Sequence, residues 1–393
     1  MVPLPVMPSP PSSGFASRTA MRKARSVHTT SIPRAAVRRR RSLLTAVVAA
    51  VVAALALVPS AAQAETSVPA QNAGGALQRY LTTHDDHFTN SGFADYGLTL
   101  DAVIAMDAAG VGDAQSARST TFVADNIGSY IGTGTESYAG AIAKALLVSL
   151  SQGRTPQGFL GGVNLVTRLK ALQTTSGQFK DKSRFGDFSN TLGQSFALIS
   201  LRKAGQSLGT KAVPFLANSQ CPNGGFRLDL SVNDCLSNSK ADPDATSFAV
   251  QGLLAAPQTT AVKARISRAV AYLEDHQDAD GGVVGGTATN TPHANSTGLA
   301  VLAFDTTGHS ASATKGRLFL RSLRYTCDFP SPMRGAIAYD PARFAAADAQ
   351  NGTAALNDQD LRSTAQAALG FAPVPLYKVT NVGAKPVAPA FVC

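Results

Sequence analysis

A unit of two helices joined by a glycine-rich loop recurs along this chain, and that repetition constrains the fold more than any single motif. Each unit has an amphipathic helix that often closes on Gln, a Gly-rich loop, and a second helix opening on a polar residue and running on Ala, Gly and large apolar residues. One copy runs from Leu169 to Gln173, through Ser176-Gly177-Gln178-Phe179, to Ser195-Phe196-Ala197. The next runs from Phe215 to Gln220, through Asn223-Gly224-Gly225-Phe226, to Thr246-Ser247-Phe248-Ala249. A third has Tyr272, Leu273 and Gln277, then Asp280-Gly281-Gly282, then Thr297-Gly298-Leu299-Ala300. The marks Ala102, Ala143, Ala197, Ala249, Ala300 and Ala367 stand 41, 54, 52, 51 and 67 residues apart, which gives six units.

The two helices of a unit belong in different layers. Ala261 to Asp275 places Val262, Ile266, Ala269, Val270 and Leu273 on one face and Lys263, Arg265 and Arg268 on the other, the pattern of a half-exposed helix. Leu192 to Leu201 and Thr246 to Ala256 carry no charge, so they must be buried. Charge-free inner helices ringed by amphipathic outer ones predict an all-α fold: an α/α toroid of about six helical hairpins, its loops gathered around a central mouth. That mouth is the default ligand site.

The first 64 residues read as an export signal. They hold no Asp or Glu, carry the run Arg38 to Arg41, and turn apolar from Leu43 to Leu57, ending at Ala62-Gln63-Ala64. Arg40-Arg41-Ser42-Leu43-Leu44 is similar to a twin-arginine signal, although an ordinary secretory leader accounts for it. The domains expected are therefore a signal peptide at 1–64, the toroid at 65–372 and an extended tail at 373–393. Nine of the 35 Lys and Arg residues lie in the leader and none of the 25 acids do, which leaves 26 basic residues against 25 acidic ones. The high overall charge thus belongs to the leader and gives no reason to expect nucleic acid. A secreted or cell-envelope monomer with no membrane span is the expectation. Its four cysteines pair by default in an oxidising compartment. Cys221 with Cys235 and Cys327 with Cys393 is the preferred of three connectivities, the first closing a short loop and the second stapling the tail.

These repeats resemble the prenyltransferase and squalene-cyclase repeat, in which Gln, a short spacer and Gly-Gly-Phe precede Asp and Thr at the start of an Ala-rich helix. Asn223-Gly224-Gly225-Phe226 with Asp244 and Thr246, and Gln277 with Asp280-Gly281-Gly282, carry the likeness. The resemblance implies the toroid of class II terpene cyclases, protein prenyltransferases, complement thioester domains and transcobalamin-like carriers, and leaves the chemistry open. Asp242-Pro243-Asp244-Ala245-Thr246 resembles the Asp-x-Asp-Asp-Thr motif of class II terpene cyclases. By that likeness Asp244, with Asp242, would be the proton donor. The third carboxylate is Ala245, and the chain has no Trp. Helix capping by Asp244 or Thr246, with Asn295, Ser296 and Asp360 as counterparts, is the competing account.

Neither the zinc set of prenyltransferases nor a thioester Cys-Gly-Glu-Gln is present. His84-Asp85-Asp86-His87 reads as a solvated turn rather than a metal site, and His276-x-Asp278-x-Asp280-Gly281 lacks the Glu of a calcium loop at its twelfth position, Thr287. No metal and no cofactor are expected. A carbohydrate-active toroid would need facing carboxylates or a Tyr and His pair, and Tyr96, His87, Asp95 and Asp101 are placed to supply them. With no intact catalytic motif, the leading expectation is a non-catalytic binder of a small apolar or corrinoid-like ligand or a cell-surface partner, its mouth lined by Tyr96, Asp95, Asp101, Thr246 and Thr297. The alternatives are a terpene-cyclase-like or prenyltransferase-like enzyme using Asp244 as general acid, and a carbohydrate-active toroid enzyme.

Overall fold

Six outer-then-inner hairpins carry the architecture in the computed structural model, which describes residues 67–155, 164–230, 234–286, 289 and 291–393. The proposed leader at 1–64 lies outside the described residues. In chain order the hairpins pair α1 (Val68–Thr82) with α2 (Tyr96–Ala109), then α3 (Asp113–Asp125) with α5 (Ala139–Ser151), the short α4 (Ile127–Ile131) lying between them. Next come α6 (Leu165–Lys170) with α7 (Thr191–Lys203), α8 (Ala212–Asn218) with α9 (Pro243–Leu254), and α10 (Thr260–Asp275) with α11 (Ala294–Thr306). The last pairs α12 (Ser310–Ser322) with α14 (Asp358–Phe371), and α13 (Pro341–Asp348) lies in its connection. Each second member packs on the next, and α14 returns to α2, so α2, α5, α7, α9, α11 and α14 form a closed inner ring.

Burial follows the charge pattern. All six alanine marks are fully buried, and α10 buries Val262, Ile266, Ala269, Val270 and Leu273 against the ring. Small residues set the spacing between inner helices: a Cβ on Gly298 would stand 2.5 Å from the Ala367 Cα, so α11 and α14 meet backbone to backbone. Sheet is confined to two ribbons in the outer-to-inner loops, β1 (Phe88–Asn90) with β2 (Phe93–Asp95) and β3 (Phe226–Arg227) with β4 (Ala241–Asp242), both antiparallel.

The repeat residues are the joints of this ring. Thr246 Oγ1 donates to the Asp242 carbonyl (2.7 Å) and accepts the Phe226 N–H (2.7 Å), which ties its loop to its inner helix. Thr297 does the same with His293 O (2.9 Å) and Val283 N (2.9 Å), Thr99 with Asp95 O and Phe88 N, and Thr364 with Asp360 O and Ile337 N. The loop glycine then locks onto the next unit. Gly177, Gly224, Gly281 and Gly335 have φ of 101°, 98°, 94° and 87°, and an added Cβ would strike the backbones of Lys211, Arg268, Lys315 and Asn72 respectively. The fourth contact reaches back to α1 and closes the circle. Gln220 and Gln277 reinforce it, each donating to its own loop and to the following outer helix, at Arg265 O (2.9 Å) and Ser312 O (3.0 Å).

Beyond α14 the chain crosses the ends of the inner helices. Leu376 N–H donates to Gln251 (3.2 Å), Lys203 Nζ to Val379 O (2.5 Å), Asn381 N–H to Ser151 O (2.9 Å) and Lys385 N–H to Gly110 O (2.9 Å). It then passes α1, where Ala388 N–H meets Gln78 (2.7 Å), and ends in the Cys327–Cys393 disulfide. Cys221 bonds to Cys235. No helix among the described residues is long and apolar enough to cross a membrane.

Candidate active site

Because every unit runs outer then inner, the inner helices are parallel and their N-termini gather at one end, the mouth. Polar side chains there divide into those that hold the helices and those that are free to do chemistry. The caps are Asp95, Asn190, Asp242, His293 and Asn357, each accepting the backbone N–H three residues on. This corrects the capping expectation, which fell on Asp244, Thr246, Asn295, Ser296 and Asp360, two to four residues too late. Asp360 still joins the Asn357 capping box and pairs with Arg343.

Asp242 is therefore committed to its helix, with Oδ1 on the Ala245 N–H (2.8 Å), rather than to proton donation. Thr246 and Thr297 do not line the mouth either: both are fully buried, with their hydroxyls already used in the loop bonds described above. The His84 and His87 rings diverge, one stacked on Tyr80 (3.8 Å) and the other on Phe122 (4.0 Å), while Asp86 pairs with Arg118 (3.0 Å). Among the described residues no group of three or more His, Cys, Asp or Glu is placed to hold a metal, and Thr287 lies outside them.

Asp244 is different. Its Oδ1 is buried and has no hydrogen-bond partner. The first turn of α9 should favour the carboxylate through the helix dipole, yet burial outweighs that field and the Ser296 hydroxyl. With Asp242 nearby adding repulsion, the carboxyl is pushed up to about 6. Around it, His293 stacks on Tyr339 (4.8 Å) and is held below the ordinary histidine value by burial, so it is neutral near pH 7.

Asp101 stands on the opposite side. It pairs with Lys144 Nζ at 2.7 Å, and neither side chain is more than a quarter exposed. Burial works against the Lys144 ammonium, but Asp101, helped by Tyr130 and Asp95, outweighs it and raises the lysine above its usual value. Burial likewise pushes the Tyr130 hydroxyl up to about 12, so it is a neutral donor. Asp95 completes this side, its free oxygen on Arg362. Tyr96 stacks on Phe122 (6.0 Å) and meets the Tyr130 ring at a tilt (6.1 Å). Lys144, Tyr130 and Arg362 escaped the sequence reading; a single Lys inside the otherwise uncharged Ala139–Ser151 helix was the available signal.

Side chains pack closely toward the axis here: Asp101, Ile104, Phe196, Phe248, Leu369 and the tail residue Leu376 surround a void of only about 10 Å³, room for about one water. Asp244 lies four residues before Phe248, on the same face of α9. Since α2 and α9 are the first and fourth of six ring members, Asp101 and Asp244 stand on opposite sides of the axis above this floor. An open groove of about 270 Å³ lies on the Asp101 side, reaching its partner Lys144 and lined also by Tyr130, Tyr138, Asp181, Phe188 and Asn190.

No family model matches the chain, and no curated protein matches it. Solved structures do. The type II terpene cyclase MstE from Scytonema superposes with a TM-score of 0.53 at 11% identity, over 77% of this chain and 96% of that one. The unsaturated glucuronyl hydrolase of Bacillus sp. GL1, described as responsible for glycosaminoglycan degradation, superposes with a TM-score of 0.53 at 10% identity, over 79% and 98%. A glucuronyl hydrolase specific for heparin gives 0.53 at 14% identity, over 78% and 98%. The fold is an α/α toroid of the terpenoid-cyclase type. The neighbours just named are enzymes, and this finding turns the reading away from the non-catalytic binder expected from the sequence.

Proposed function

We propose that the protein is a secreted enzyme that cleaves a glycan-like substrate at the mouth of the ring, with Asp244 as the general acid. The observation that carries this reading is the partnerless, buried Oδ1 of Asp244, raised toward neutrality, across the axis from the ion-paired Asp101. Two carboxyl groups in unlike environments are what acid-assisted cleavage of a glycosidic bond requires: one keeps its proton for the leaving oxygen, and the other stays charged to aid water or the developing cation. Lys144, Tyr130 and Asn190 supply hydrogen-bonding groups for sugar hydroxyls, and the rings of Tyr138 and Phe188 supply apolar faces. Of the glucuronyl hydrolases that share this ring, one is described as responsible for the degradation of glycosaminoglycan and one as specific for heparin, in keeping with such a substrate. The small size of the void among Asp101, Phe196 and Phe248 favours this reading over the folding of a long isoprenoid chain inside the ring.

Export rests on the leader and on the two disulfides, which persist in oxidising compartments. The test is to assay the mature protein, starting at Glu65, on a panel of neutral and uronic oligosaccharides, with polyprenols as the contrasting substrates. Asp244→Asn is expected to lose about 10²–10⁴-fold in rate with its helical circular dichroism intact. Turnover of a glycan by both proteins at equal rates removes Asp244 from the chemistry, and turnover of polyprenols alone removes the glycan assignment.

A further inference from the structure

The outer layer of the ring is thin at the third and fourth units. The outer helices α1, α3, α10 and α12 have 13 to 16 residues, whereas α6 and α8 have 6 and 7. At 1.5 Å per residue, α8 falls about 13 Å short of α10, the neighbour that follows it. The missing turns leave a cavity of about 550 Å³ between α8 and the first turn of α10, over the C-terminal ends of α7 and α9. A volume of that size is typical of a small-molecule site.

Chemistry narrows the occupant. Val213, Ala217, Ala261 and Val262 form apolar walls, and the cationic groups are Arg202 and Arg265. No carboxylate lines the cavity, and neither arginine is in an ion pair among the described residues. Arg265 makes one hydrogen bond, to Gln220 Oε1 at 3.3 Å, which leaves most of its fork of donors unused. Two guanidinium groups beside an apolar recess match a ligand with an anionic, planar head and a hydrocarbon body, since a carboxylate takes two parallel N–H bonds from one arginine. A neutral hydrocarbon would bring neither guanidinium a counter-charge.

We infer that this gap in the outer layer is a binding site for a small amphipathic carboxylate, separate from the mouth and about one inner-helix length from it. Arg202 and Arg265 hold the head, and the wall left bare by the short α8 holds the chain.

The experiment uses the mature protein and anilinonaphthalene sulfonate as fluorescent reporter, displaced by decanoate or by decanol. Expected are saturable displacement by decanoate, displacement by decanol at least tenfold weaker, and a tenfold or greater loss of decanoate binding in the Arg202→Ala/Arg265→Ala double variant. Ala261→Phe, which fills the recess from an exposed position, should block the reporter while leaving the melting temperature near that of the parent. Asp244→Asn should bind decanoate as the parent does. Absence of displacement by decanoate, equal potency of decanol, or unchanged decanoate binding in the double variant overturns the assignment. The decanoate-to-decanol comparison on the unmodified protein decides the matter even if a variant fails to fold.

Discussion

Arg362 on the last inner helix reaches across to Asp95, the residue that caps the first, so an ion pair adds to the packing that joins the two inner helices that no connecting segment links. The two ends are not equally important to stability. Arg362 is 40% exposed, and an ion pair at that exposure contributes about 0–1 kcal/mol. Arg362→Ala should therefore lower stability by no more than about 1 kcal/mol in urea titration. Asp95→Ala should cost about 1 kcal/mol more, because it also strips the α2 cap. Equal losses would mean that the cap contributes nothing.

Thr297→Val preserves shape but removes the acceptor for the buried Val283 N–H (2.9 Å). An unsatisfied buried donor costs about 1–3 kcal/mol. The melting temperature should fall by that equivalent, while turnover per folded molecule stays at the parental level. A selective loss of turnover would return Thr297 to the mouth.

Gly281 and Gly308 form a matched pair. Both have positive φ, 94° and 86°, yet a Cβ on Gly281 would meet the Lys315 backbone while one on Gly308 would meet nothing. Gly308→Ala should cost only the backbone strain, about 1–2 kcal/mol. Gly281→Ala should cost clearly more, because the seam between the fifth and sixth units must move. Chemical denaturation of both variants tests the order.

Asp107 makes stability depend on pH. The carboxyl is fully buried, with Oδ1 on Gln152 (2.6 Å) and Oδ2 without a partner, and burial pushes it up to about 7. A carboxyl raised in the fold holds its proton more tightly than in the unfolded chain, so stability is complete below about pH 4 and declines as pH rises toward 7. Between those two values the decline amounts to about 4 kcal/mol at most. Asp107→Asn should flatten this slope and stabilise the protein at pH 8 by about 2–4 kcal/mol. A slope that persists in the variant would locate it in other groups.

Asp244 gives the corresponding dependence for catalysis. As general acid it acts when protonated, so kcat should fall as pH rises through about 6, tenfold per pH unit well above it. A pH profile measured on a slow substrate checks this. A rate that rises through pH 6 would make Asp244 a base.

Much of the ring was legible because burial on all sides leaves a helix no use for charge. That rule located α7 and α9 and, through the alanine marks, the other inner helices. The caps were less legible. Asp242-Pro243-Asp244-Ala245-Thr246 offers three polar side chains in five positions, and which one caps is decided by the pairing of Ala241 and Asp242 with Arg227 and Phe226, a contact made some fifteen residues away. The close packing toward the axis was also hidden. Periodicity marks Phe196 and Phe248 as buried, but in a helix buried all round it does not tell which face meets the centre. Lys144 was visible as the solitary charge in its apolar helix and Asp107 as the second of two acids in α2, and only their partners reveal that Lys144 belongs to the mouth while Asp107 is a buried carboxyl bonded to Gln152.

The tail gives the ring a property that its six hairpins alone would lack. Five of the six joints between units are bridged by the running chain; the sixth, between last and first, is not. The segment from Leu376 to Cys393 spans that gap by passing beneath α3 and along α1 before it is welded to Cys327. The barrel is thus hooped at its one unstitched stave. Reduction should let it spring open there first, and proteases should find their earliest cuts beside α1 and α14.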